Sequence, residues 1–393
     1  MVDKSLFNAV VILFSLSVIM SYSLSTYTVV FWEYNNFHFL IRQASSVMIG
    51  FITMIILSRL NPDKWFDTIG LLMFFGFFTL MIAMLFLPSH IVNVIGGAKR
   101  WIHIGSISIA PVEFFKVGFI FFLAWSFSRK FLHNSIMGFV EEIRAFFPYL
   151  FVFLIAVIII AVFQKDLGQV MVLGATLMVM FLFIGSSWKF FLAMLSSVII
   201  GFIGLIYFAP HRMARIKSWW GMVQDNILSI FPFQSLQSLH IDSSKEPYQI
   251  SNSLNAIYNG GYNGTGLGNG QFKLGYLSEV HTDFILSGIM EEMGFIGIVI
   301  VSLIIVFIVF RVFKIASKVK NPTYYLFSIG VGLLISFSFI LNAYGISGIT
   351  PIKGLAVPFL SYGGSHIFAS SIAIGMVLMV SKKVPRNNRG DII

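Results

Sequence analysis

Long apolar runs constrain this chain more than any other feature, because each one restricts the backbone to what a bilayer tolerates. A helix needs ~20 apolar residues to cross the hydrocarbon core. The first run, Leu6–Val30, carries no charge, exceeds the apolar stretch of a signal peptide and lacks a small-x-small cleavage site. It reads as a retained spanning helix. Further runs lie at Phe39–Leu57, Gly70–Leu87, Ile109–Ser126, Phe146–Phe163, Leu167–Gly185, Phe190–Phe208, Phe284–Phe310, Tyr324–Leu341 and Gly354–Val380. The expected fold is an all-α polytopic membrane protein, one transmembrane domain over residues 1–393. It has about ten transmembrane helices and one large extracytoplasmic loop, 210–283, between helices 7 and 8.

Charge placement orients this expectation. With the N-terminus cytoplasmic, ten spans put both termini on that side. Its segments then hold more than half of the Lys and Arg, including Lys4, Arg59, Arg129, Lys130, Arg311 and Lys382. The 210–283 loop carries Arg212, Arg215, Lys217, Lys245 and Lys273 against Asp225, Asp242, Glu246, Glu279 and Asp283. The net charge of +10 therefore reflects topology and contact with cytoplasmic membrane lipids, and leaves no nucleic-acid footprint. With no cysteine there is no disulfide framework and no thiol nucleophile or ligand.

Several polar stretches interrupt the apolar pattern. QFKLGYLSEVHTDFILSGIMEEMGF, from Gln271 to Phe295, crosses from a Gly-rich segment into a span. It carries Glu279, His281 and Asp283 at the crossing and Glu291 and Glu292 inside. Asp283 reads either as the cap of the following helix or as a functional acid. Capping leaves the two buried glutamates unexplained.

Lys99, Arg100 and Trp101 follow two glycines on the outward side. Trp and one cation suit an interfacial anchor, but an outward Lys-Arg pair runs against the charge rule and suits a phosphate-bearing ligand. Glu113 and Lys116 open the fourth span three residues apart, close enough to pair on one helix face or line a polar cavity. Asp166, between two spans, is expected to cap the sixth helix. NGGYNGTGLGNG at 259–270 reads as turns, with Lys273 just beyond it available to an anionic ligand. GITPIKGLAVPFLSYGGSH at 348–366 predicts irregular backbone, with Lys353, Ser361 and Tyr362 as polar lining or a kinked helix as the plain alternative.

In order along the chain, GAKRWIHIG (97–105), PVEFFK (111–116), QKDLG (164–168), YQISNSLNAIYNGGYNGTGLGNG (248–270), LSEVHTDFI (277–285), MEEMGFIG (290–297) and PFLSYGGS (358–365) resemble the SEDS family, which includes FtsW, RodA and SpoVE. The family usually has QPSE where Ala110-Pro111-Val112-Glu113 stands, QPDLG where Lys165 stands and GGSS where His366 stands. The resemblance implies ten helices and a peptidoglycan glycosyltransferase. Such an enzyme polymerises lipid II on the outer face of the bacterial cytoplasmic membrane. It works with a class B penicillin-binding protein (an FtsI-type transpeptidase) and divisome proteins. Lys353-Gly354-Leu355 before PFLSYGGS tilts the reading toward the division branch over the elongation branch.

The family's essential Asp matches Asp283, expected here as the base, and its important Trp matches Trp101. Lys99, Arg100, Arg212 and Arg215 are expected at the diphosphate. Glu113, Lys116, Lys273, Glu279, His281 and Ser361 are expected in the substrate cavity. No cofactor is certain; Mg²⁺ or Mn²⁺ could assist, with Asp283 as a ligand. Rival expectations are a lipid II flippase and a scaffold that activates its partner.

Overall fold

The computed structural model describes residues 2–88, 91–95, 97–105, 107–130, 138–230, 248–351 and 354–385. Among these, nine helices are long and apolar enough to cross a membrane. They are α1 (Lys4–Leu24), α2 (His38–Arg59), α3 (Pro62–Phe86), α4 (Pro111–Lys130), α5 (Phe139–Phe163), α7 (Trp188–Tyr207), α10 (Ile285–Lys318), α11 (Pro322–Ile346) and α12 (Gly364–Lys383). Between α5 and α7 lies α6 (Leu167–Phe183), apolar and shorter. Each of the ten apolar runs thus corresponds to one of these helices, the first run extending past α1 into a separate short helix. In the 210–283 loop the described residues form two helices, α8 (Pro210–Ile230) and α9 (Tyr248–Gly260).

Helices associate in lipid through close packing and polar contacts, because lipid tails are as apolar as the side chains they would replace. The centre of the bundle is α4, whose Phe115, Phe119, Phe121 and Phe127 are buried. A β-carbon on Gly118 would lie 2.3 Å from the backbone nitrogen of Phe74, so only glycine lets α4 meet α3 there. At this crossing α3 winds as a π-helical segment, Leu72–Gly76. α7 is the opposite case, exposing Leu192, Ile199, Ile200 and Ile203. That apolar surface suits lipid.

Polar contacts mark the two ends of the bundle. At one end Arg311 reaches Asp3 Oδ2 at 2.5 Å, Asp3 N donates to Ser381 Oγ at 3.1 Å, and Lys383 pairs with Asp63. This end holds the N-terminus and the end of α12. At the other end Arg100 bonds the α5–α6 turn, Trp219 Nε1 donates to Gly348 O at 2.7 Å, and Tyr362 N donates to His281 O at 2.9 Å. Two small antiparallel hairpins lie there, β1 (Val94–Ile95) with β2 (Ala98–Lys99), and β3 (Ile102–Ile104) with β4 (Ile107–Ile109).

The structure corrects two boundaries. The first helix stops at Leu24, and Thr26–Phe31 forms a separate short helix. The last helix begins at Gly364, ten residues after the run predicted at Gly354–Val380. The preceding stretch is non-helical, with positive φ at Gly354 (58°) and at the fully buried Phe359 (66°). Positive φ is strained for a residue with a β-carbon and persists when the surroundings demand it.

Candidate active site

Asp283 sits one position before Phe284, the N-cap residue of α10. That cap carries no side-chain hydrogen bond, so Asp283 is not spent on capping. Its position is held from α11 and from the 354–363 stretch. Asn342 Nδ2 donates to Asp283 O at 2.7 Å and to Leu355 O at 2.5 Å. Ser361 Oγ donates to Thr282 O at 2.7 Å and accepts from Val357 N at 2.8 Å. A β-carbon on Gly354 would come 3.0 Å from Asp283 Oδ2. Here glycine supplies both room for the carboxylate and the left-handed backbone.

Burial pushes the Asp283 carboxyl up to about 7, reinforced by the negative charges of Asp166, Glu279 and Glu113 and opposed by Arg100. These groups therefore share one electrostatic neighbourhood at the end of the bundle that holds the hairpins. Arg100 is anchored by donating from Nε to Gln164 O at 2.8 Å and from Nη2 to Lys165 O at 3.1 Å. Asp166 caps α6 as expected, accepting from Gln169 N at 3.2 Å, and burial raises its carboxyl too. Trp101, adjacent to Arg100, is half-buried.

Glu113 and Lys116 pair at 2.9 Å, as their spacing predicts, and both are buried. Glu113 also meets His366 Nδ1 at 2.9 Å and accepts from Gln169 Nε2 at 2.9 Å. His366, Gln169 and Asn342 were not singled out for the site from sequence. His366 stands where the family pattern has Ser, and Asn342 directly follows the apolar run Tyr324–Leu341.

The other site residues are placed as follows. Lys99 Nζ donates to Leu85 O at 3.0 Å, near the end of α3. Arg212 donates to Leu205 O at 2.7 Å and to Ala161 O, tying α8 to α7 and α5. Arg215 is exposed on α8. Lys273 Nζ donates to Glu292 at 2.7 Å, Gly268 O at 2.7 Å and Ser23 O at 3.0 Å, all three protons used within the fold. Glu279 is exposed, and its carbonyl accepts from Thr282 N at 3.0 Å. His281 is buried against Phe39 and Tyr362, and burial pushes its imidazole down to about 4, so it is neutral at pH 7. Lys353 lies outside the described residues.

Glu291 and Glu292 are both buried on α10. Glu291 Oε1 accepts from Gln271 N at 2.6 Å, Phe272 N at 3.1 Å and Asn259 Nδ2 at 3.0 Å. Glu292 accepts from Ser23 Oγ at 2.5 Å and pairs with Lys273. Together they fasten the Gly-rich 259–270 stretch to α10. Among the described residues no three His, Asp or Glu side chains gather as a metal-ion group.

Fold and site define a polytopic helical membrane protein with a desolvated carboxylate and a cation at one end of the bundle. The chain belongs to the FtsW/RodA/SpoVE family, whose model, described as a cell cycle protein, matches residues 4–386. A Helicobacter pylori protein named probable peptidoglycan glycosyltransferase FtsW is 46% identical over 97% of this chain and 98% of its own. A Geobacter protein of the same name is 31% identical over 97% of both chains. The crystal structure of the Thermus thermophilus rod shape determining protein RodA matches with a TM-score of 0.66 and 20% identity over 98% of both chains. A chain of a peptidoglycan synthase complex, described as coordinating polymerization and crosslinking, matches with a TM-score of 0.68 and 20% identity over 98% of this chain and 99% of its own.

Proposed function

We propose that this protein is a peptidoglycan glycosyltransferase that polymerises lipid II at the outer face of the bacterial cytoplasmic membrane. Its termini lie in the cytoplasm, and its main task is septal synthesis. The names of its relatives support the activity and the division branch. The positive-inside rule supports the orientation. The observation that carries the mechanism is Asp283, a carboxyl that burial pushes up to about 7 against the opposing charge of Arg100.

In this reading Asp283 accepts the proton of a sugar hydroxyl on the acceptor. The hydroxyl oxygen forms a bond to the anomeric carbon of the donor. The bond from that carbon to the lipid diphosphate breaks, and the diphosphate leaves with the electron pair. A cation at the leaving oxygens stabilises their developing charge. Among Lys99, Arg100, Arg212 and Arg215, Arg100 is the cation whose charge opposes the upward push on the Asp283 carboxyl, which makes it the foremost of them for this role. A class B penicillin-binding protein is the partner in this reading, supported by the fold's likeness to a synthase-complex chain.

Purified protein reconstituted with labelled lipid II tests the proposal. An enzyme makes glycan strands unaided, a flippase only moves label across the bilayer, and a scaffold does neither alone. The expected result is polymer from the wild type and none from Asp283→Ala. Full polymer yield from Asp283→Ala would end the assignment.

A further inference from the structure

His366 is the third residue of α12 and is buried. Ionisable side chains inside a spanning helix are costly, pair with one another and mark function. Its Nδ1 stands 2.9 Å from Glu113 Oε2 on α4, and its Nε2 stands 3.3 Å from Val357 O in the irregular stretch before α12. A carboxylate paired with Lys116 and a backbone carbonyl both only accept, so the ring serves both when each nitrogen carries a proton. A Ser at this position would have one proton and could make only one of the two donations. The charged side chains facing the ring are Glu113 and Lys116 of α4. Gly354–Leu360 and α11 carry no charged residue, while on α2 Arg42 bears on Tyr362 and Arg59 lies in the last turn.

Val357 leads from this ring to the base. Its N donates to Ser361 Oγ at 2.8 Å, and that hydroxyl donates to Thr282 O at 2.7 Å. The same stretch meets the neighbouring residues as well. Tyr362 N donates to His281 O at 2.9 Å, and Gly354 lies against the Asp283 carboxylate. Its far end is held from α1 and α2, where Ser17 Oγ donates to Leu360 O at 2.6 Å and Gln43 Oε1 accepts from Gly363 N at 3.3 Å. Its Val357 end is held from α4 through His366. Between these anchors Phe359 keeps its positive φ, a strain that persists only where the surroundings enforce it.

We infer that His366 is a positioning residue for the Asp283 base: protonated at both nitrogens, its ring fastens Val357 to the Glu113 carboxylate and so fixes the stretch that holds residues 281–283. Glu113 is itself immobile, paired with Lys116 at 2.9 Å and accepting from Gln169 Nε2 of α6 at 2.9 Å. The ring therefore ties the irregular stretch to a rigid point in the bundle. A base displaced by about 1 Å can lose ~100-fold in rate, because the reacting atoms no longer meet in line. The inference rests on the glycosyltransferase reading and adds a residue behind its base.

Full-length protein in nanodiscs tests it in two ways. Lipid II polymerisation is measured per folded enzyme, well below the Tm of each variant, with kcat and KM taken separately. His366→Gln and His366→Ala are each expected to lower kcat about tenfold and to leave KM within about twofold. Solid-state nitrogen-15 NMR of histidine-labelled protein, with His366→Gln identifying the resonances, is expected to show both ring nitrogens of His366 protonated at pH 7. A role in stability alone would lower Tm and leave kcat per folded enzyme intact, and that result overturns the inference. A KM that rises as far as kcat falls overturns it too, as does a bare ring nitrogen. Should His366→Ala fail to fold, His366→Gln decides alone. A wild type that makes no polymer would end the glycosyltransferase reading and this inference with it. A wild type that polymerises while His366→Gln keeps its kcat would end this inference alone.

Discussion

Ser361 Oγ donates to the carbonyl oxygen of Thr282 at 2.7 Å, joining positions 79 apart in sequence one residue before Asp283. The same hydroxyl accepts from Val357 N at 2.8 Å, so one side chain binds the irregular stretch before α12 to the segment that presents the carboxylate.

Ser361→Ala removes both bonds and leaves Val357 N without its partner. A typical hydrogen bond contributes about 1 kcal/mol net, and an orphaned buried group costs about 1–3 kcal/mol. The protein is expected to stay folded, with a lowered Tm. Polymerisation of lipid II is expected to fall at least tenfold, because Asp283 loses its alignment. Unchanged activity at a lowered Tm would show that Ser361 serves stability alone.

The Asp283 carboxyl has a pKa of about 7 against an ordinary 3.8, raised chiefly by burial. As pH rises from about 4 to 7, the unfolded chain releases this proton before the folded protein does. Ionising the buried group therefore costs stability across that window, and the cost levels off above pH 7. Asp283→Asn removes the cost, so its Tm is expected to gain on the wild type from pH 4 to 7 and hold the gain above. A base must be deprotonated to act, so wild-type polymerisation is expected to rise with pH, with an inflection near 7. A flat profile from pH 5.5 to 8.5 would exclude this carboxyl as the base.

Lys273 and Glu292 form a buried pair at 2.7 Å that fastens the Gly-rich segment to α10. Removing one member of such a pair leaves a buried charge uncompensated, at a cost of roughly 3–5 kcal/mol. Lys273→Met and Glu292→Leu are each expected to lower Tm sharply in detergent melts. The double substitution is expected to recover most of the loss. Equal losses from the singles and the double would place the contribution in Ser23 and Gly268 instead.

Much of this molecule was legible from its residues. Length and apolarity of the runs specify ten helices, because a bilayer leaves a polar backbone few ways to satisfy itself. The Glu113–Lys116 pair follows from a spacing of three on one helix, and the Asp166 cap from its place before an apolar run. Both are local facts, set by helical periodicity and nearest neighbours. The tertiary structure decided what each isolated charge does. Lys273, Arg212 and Arg100 look alike in sequence and all three bond within the fold, yet Lys273 pairs with Glu292 while the charge of Arg100 also bears on the Asp283 carboxyl. Asp283 had two readings until the fold placed Phe284 at the cap and gave the carboxylate to a cavity with Asn342. Desolvation, and the distance between charges far apart in sequence, arise only when the helices pack, so no local pattern encodes them.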